Sequence, residues 1–175
     1  VTIDAAGTRA EGAYSGYAEP GQRPPFGSYA ALTALFNAAM AAGLAGARRG
    51  GHELPERIET RDIVLTGVAT HKLSRLISKD KITAFARAPF TEFQEPGGPA
   101  EVEERARGQG WRRTLGELLI CPYCLGMWIS GGFNLGLVVA PRGTRFAASV
   151  LTGLTISDFL QIAYKAAEDR GLGGN

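Results

Sequence analysis

Charge falls along this chain in blocks. Pro24 to Ala47 carries no charged side chain, and neither does Leu118 to Pro141, whereas Ser78 to Glu117 is dense in Lys, Arg and Glu. The pattern predicts four helical segments. Segment one, Tyr29 to Ala47, has nineteen residues and ends on Arg48 and Arg49. At about 1.5 Å per residue it reaches roughly the thickness of a bilayer core. Segment two, Asp62 to Ser78, is charge-free only from Ile63 to Thr70, before His71, Lys72 and Arg75. It reads as a short span whose basic residues snorkel, with a flat amphipathic surface helix as the alternative. Segment three runs from Pro122 to Ala140. Pro141 to Arg145 reads as a tight break that folds segment four, Phe146 to Tyr164, back antiparallel. The predicted class is all-α, a small membrane helical bundle of three or four antiparallel segments with one large polar loop.

The domain reading follows the same blocks. Residues 1–28 form a flexible or partner-bound tail without the apolar core of a signal peptide. Residues 29–165 form the helical membrane domain, with the polar loop at 79–116, and 166–175 is a frayed end. No strand alternation stands out, and a short acidic-basic helix is expected at Ala100 to Arg107. Small residues recur at four-residue spacing, which lets helices approach closely in lipid. Segment one has Ala34, Ala38, Ala42 and Gly46. Segment three has the GxxxG pair Gly132 and Gly136, with Gly126 and Ser130 continuing the small-residue spacing on a neighbouring face. Segment four has Ser149, Gly153 and Ser157. These residues are the predicted helix-packing positions.

Composition changes this picture little. At 175 residues with 45% apolar and 21% charged side chains, the average resembles a soluble protein. It averages a bilayer part with a polar part. A net charge of +2 gives no ground for nucleic acid as a partner. If all four segments cross, the tail, the large loop and the C-terminus share the side with more Lys and Arg. The positive-inside tendency places that side in the cytoplasm of a bacterial inner membrane. Arg75, Arg87, Trp111, Arg112, Arg113 and Trp128 read as interfacial residues. Asp158, within segment four, is the intramembrane polar residue; Lys72, His71, Arg75 and Lys165 are its candidate partners.

The candidate chemistry sits in Cys121-Pro-Tyr-Cys124. Pro122 suits a first helical position, which makes Cys121 a cap and places Cys124 in the first turn. A helix N-terminus lowers a thiol's pKa. Three readings compete: a compact turn of small buried side chains, a dithiol/disulfide couple, and half of a zinc site completed by His52 and His71 or by a second chain. Glutaredoxins share the tetrapeptide, but no βαβ pattern precedes it here. No catalytic triad, phosphate-binding glycine loop or carboxylate pair accompanies it.

Taken in order, Arg75-Leu-Ile-x-x-Asp80, Arg87-Ala-Pro-Phe-Thr91, Gly116-Glu-Leu-Leu-x-Cys-Pro-Tyr-Cys-Leu-Gly-x-Trp128, Pro141-Arg142 and Ser157-Asp-Phe-Leu160 resemble a bacterial family. It is domain-of-unknown-function family thirteen-sixty, which includes sporulation-associated membrane proteins. The resemblance spans about Ile63 to Tyr164. It implies an integral membrane protein and transfers no catalytic residues. The function expected is non-enzymatic: a scaffold, anchor or assembly subunit working by small-residue helix packing. Its partners would be the lipid bilayer and other subunits, a second copy among them, and no cofactor is called for. The alternative is a membrane-associated thiol-redox or zinc-binding protein using the two cysteines.

Overall fold

The computed structural model describes residues 16–19 and 24–172. The expected tail, with Arg9 and Arg23, lies largely outside the described residues. Six α-helices and one small sheet are present among those described: α1 (Phe26–Arg49), α2 (Thr60–Ser78), α3 (Ala84–Arg87), β1 (Thr91–Pro96), β2 (Val102–Ala106), α4 (Gly110–Ile120), α5 (Pro122–Val139) and α6 (Pro141–Leu172). The four long helices cover the four predicted segments. Three of them, α1, α5 and α6, are long and apolar enough to cross a membrane by length and composition.

Local chemistry sets the helix ends. After α1 the amides of Gly50 and His52 reach back to the carbonyls of Gly46 and Ala47. This places Gly51 at φ +76°, a left-handed conformation that suits glycine. Arg48 and Arg49 in the last turn complement the helix dipole. Between α5 and α6 the break is narrower than expected. Ala140 alone leaves helical geometry, and Pro141 already starts α6, as proline's fixed φ and missing N–H allow.

Cross-helix contacts give the directions. Along α1, Tyr29 meets Glu117 just before α5, Phe36 sets its ring against Trp128, and Gly43 abuts Leu135. The two helices therefore run parallel. Along α2, Asp62 pairs with Arg145, the Leu65 carbonyl accepts from Thr152, and Lys72 pairs with Asp158. So α2 and α6 run parallel, opposite to α1 and α5. The result is an up-down-up-down bundle. The Ala140 turn and residues 50–59 lie at its far end, and everything between α2 and α5 lies at the other.

That other end corrects the expectation of a loop. Residues 79–116 hold an antiparallel hairpin and the first turns of α4. Thr91 pairs with Ala106, Glu92 with Arg105 and Pro96 with Val102, with a bulge at Gln94. The expected helix at 100–107 is strand β2, because its residues find cross-strand partners that an isolated short helix lacks. The hairpin is stitched to the end of α2 by two backbone bonds, Lys81 N to Ala100 O and Val102 N to Lys79 O. Gly116 of α4 lies against the Phe90 carbonyl and Ala106, where a Cβ has no room.

The interior is polar and the exterior apolar. The buried apolar residues are Ala47, Ala69, Val102, Leu125 and Ala148, whereas Asp62, Thr66, Ser74, Ser78, Arg87, Thr91, Thr114 and Thr155 are also buried. On α2, Asp62 is buried while its neighbours Ile63 and Val64 are 57% and 59% exposed. On α6, Phe146, Val150, Leu154, Phe159 and Leu160 all face outward.

Candidate functional site

Cys121 ends α4 in an extended conformation and caps α5, its Sγ accepting from the Cys124 amide at 3.1 Å. The two cysteines form a disulfide, with Cα atoms 5.2 Å apart. Tyr123 between them is 91% exposed. Beside Cys124 a groove of about 310 Å³ opens between α1, α4 and α5. Leu32, Met127 and Trp128 line its apolar part, and Tyr29, Thr114 and Glu117 supply its polar groups. Tyr29 donates to Glu117 at 2.5 Å, and Arg113 Nε donates to the other carboxylate oxygen at 2.8 Å. The Glu117 carboxylate, chiefly through that hydrogen bond, holds the Arg113 guanidinium above its ordinary range.

The metal arrangement is not assembled. His52 and His71 are exposed on other parts of the bundle. Among the described residues no three His, Cys, Asp or Glu side chains are placed to hold an ion.

The residues read as interfacial divide. Trp111 and Arg112 are exposed at the start of α4, and Arg112 donates twice to the Pro89 carbonyl. Trp128 instead meets Phe36 edge-on, ring centroids 5.3 Å apart, inside the α1–α5 seam. Arg75 makes a forked ion pair with Glu101. Arg87 is not at any surface. It is fully buried and pairs with Glu104. Its remaining N–H groups donate to the Ile77 carbonyl at 2.6 Å, Thr83 Oγ1 at 2.8 Å and the Asp80 carbonyl at 3.1 Å. Thr91 Oγ1 donates to the second Glu104 oxygen. One guanidinium thus ties the end of α2 to the hairpin. Burial is tolerable because each charge is paired and hydrogen-bonded.

The predicted small residues divide too. Gly126 approaches Thr70 of α2, and Gly136 is occupied within the chain by Thr144. Gly132 is open, and its neighbour Gly131 is the glycine that admits Phe36 and Met40 of α1. The GxxxG pair is therefore split between an inner and an outer face. On α6, Ser149, Gly153 and Ser157 are all exposed. Asp158 takes Lys72 as its partner at 2.7 Å.

A family described as "Protein of unknown function (DUF1360)" matches residues 65–164. The chain belongs to that family. It is also 35% identical over 92 residues to the sporulation protein YjcA of Bacillus subtilis (strain 168), a stretch that covers 51% of this chain and 78% of that protein. No solved structure matches. The matched span takes in most of α2, the hairpin, α4, α5 and most of α6, and leaves α1 outside.

Most of the residues that carry the resemblance gather at the hairpin end: Arg75 on Glu101, Arg87 and Thr91 on Glu104, Gly116 against Phe90, Glu117 on Tyr29 and Arg113, and the cysteine pair. Pro141 and Arg142 lie at the far end, where α6 begins. Sequence reasoning missed Glu101, Glu104, Tyr29, Asp62 and Arg145. Glu101 and Glu104 left no periodic signal, because Glu101-Val-Glu-Glu-Arg105 does not alternate apolar and polar positions. The Asp62–Arg145 pair joins residues too far apart in the chain for spacing to reveal.

Proposed function

We propose that this protein is an integral membrane scaffold in which all four long helices cross the bilayer and carry a rigid hairpin module at one face. The observation that carries this reading is the inverted distribution of polarity. A helix that buries Asp62, Thr66, Ser74 and Ser78 while exposing Ile63 and Val64 has chosen lipid over water. That extends the crossing from three helices to four, with α2 as the polar-cored one. The hairpin module is held by charge pairs and offers no nucleophile–base constellation, which suits presentation and assembly. The open stripe of Ser149, Gly153 and Ser157, flanked by Val150, Leu154 and Ile156, suits close approach of a helix from another chain. The positive-inside tendency places the hairpin in the cytoplasm. The name of the Bacillus relative makes sporulation the process to examine first. Replacing Gly153 and Ser157 by Leu should reduce the assembly size in mild detergent while leaving helix content unchanged. An unaltered size would overturn the assembly role, and release of the protein by carbonate washing would overturn the membrane one.

A second reading is supported by the disulfide. It closes a ring too small to constrain the unfolded chain much, so stability gives it little purpose. On a cytoplasmic face a disulfide is ordinarily transient and serves catalysis or sensing. The thiol couple fits this geometry better than zinc does, because no histidine joins the cysteines.

A further inference from the structure

The groove beside Cys124 narrows what such a couple would react with. Its lining is apolar and aromatic through Leu32, Met127 and Trp128, with Thr114 and Glu117 supplying polar groups. Its volume of about 310 Å³ suits one substituted ring. It opens where α1 and α5 begin, at the level where a bilayer gives way to water in the four-crossing arrangement. A slot of this kind selects a lipophilic ring that carries polar oxygens. Cys124 stands in its wall, so the ligand touches a redox pair. A dithiol returning to a disulfide must pass on two electrons, and the lipid-soluble ring that accepts two electrons at two oxygens is a quinone. We infer that this groove is a quinone site and that the Cys121–Cys124 dithiol is oxidised there. The inference rests on the thiol-couple reading.

The step balances. Two S–H bonds break and one S–S bond forms. Two electrons and two protons pass to the quinone, whose carbonyl oxygens become the hydroxyls of a hydroquinone. Glu117 is the carboxylate lining the groove and takes the first thiol proton on its way to the ring. Tyr29 and Arg113 hold that carboxylate in place.

The test uses the full chain in lipid nanodiscs, reduced and then freed of reductant without oxygen. Decylubiquinone is the probe, because its fully substituted ring does not take up thiols by addition. One quinone should be reduced per chain as two thiols disappear. Leu32→Trp, which fills the groove, should slow this by about a hundredfold, the scale of loss when a reactant is held out of position. Its oxidation by diamide, a soluble oxidant that needs no groove, should stay at the wild-type rate. A redox-inert alkyl hydroxyquinoline N-oxide should block the quinone reaction of the unaltered chain, which keeps the test independent of how the variant folds. If diamide forms the disulfide but the quinone does not, or if the analogue fails to block, the quinone site is overturned and the thiol couple stands. If diamide forms no disulfide either, the thiol couple falls and the quinone site with it.

Discussion

Arg87 shows how much one side chain can hold in a protein with so small an apolar core. Its guanidinium bridges the Ile77 and Asp80 carbonyls at the end of α2 to Glu104 in β2, with no exposed surface. Arg87→Ala leaves the Glu104 carboxylate buried without its counter-charge, which costs about 3–5 kcal/mol. Thermal unfolding in detergent should show that loss. The double change Arg87→Ala with Glu104→Ala should recover part of it, because the orphaned charge goes with its partner. Arg87→Lys should behave nearly as badly as Ala, since a single ammonium cannot reach acceptors placed in three directions. Gly116 makes the complementary case. A methyl group there meets the Phe90 carbonyl and the Ala106 side chain, the latter at 2.9 Å. Both neighbours are fixed, one by backbone and one by the sheet. Gly116→Ala should therefore cost about 1–3 kcal/mol by overpacking, and proteolysis should cut the hairpin before the long helices.

At the scale of elements, α2 is the keystone, lying along both α5 and α6. Ala148 of α6 is fully buried, next to the Asp62–Arg145 pair in the chain. Ala148→Leu should wedge α6 away and lower stability by about 1–3 kcal/mol, read as a lower unfolding temperature in detergent. The long helices were legible in the sequence because charge-free runs of this length have few other fates. The ends of α1 came within three residues, expected at 29–47 and found at Phe26–Arg49, whereas α6, expected at 146–164, runs from Pro141 to Leu172 and takes in most of the expected frayed end. The hairpin was not legible, for a physical reason. A strand is normally betrayed by alternation of apolar and polar positions. Here the inward positions include Glu104, which faces Arg87, and Thr91, which donates to Glu104, in place of an apolar core. The bulge at Gln94 breaks what period remains. The cysteine site was half legible. The motif and its helix cap follow from Pro122, but the groove needs α1 to lie alongside α5, and no spacing in the chain dictates that. Gly131 rather than Gly132 makes that approach, a one-residue difference that a pattern of small residues cannot resolve.

At the scale of the whole molecule, the open question of the sequence is whether α2 crosses. A flat α2 would put residues 50–59 and the hairpin on one side of the membrane, whereas a crossing α2 puts them on opposite sides. The three contacts from Asp62–Arg145 through Leu65–Thr152 to Lys72–Asp158 run for ten residues of α2, about 15 Å. Over that length α2 keeps company with α6, itself apolar enough to span. It cannot lie flat unless α6 does. Two ion pairs bracket the segment, and each would be stranded in hydrocarbon if α2 left. The test is cysteine accessibility in intact bacteria, starting from a Cys121→Ser, Cys124→Ser background. Glu53→Cys, in the loop after α1, should react with a membrane-impermeant maleimide from outside. Gln94→Cys, at the exposed bulge of the hairpin, should react only after the membrane is opened. Equal labelling of both positions from one side would remove α2 from the bilayer. The polar residues it buries would then need water rather than lipid as the reason for facing inward.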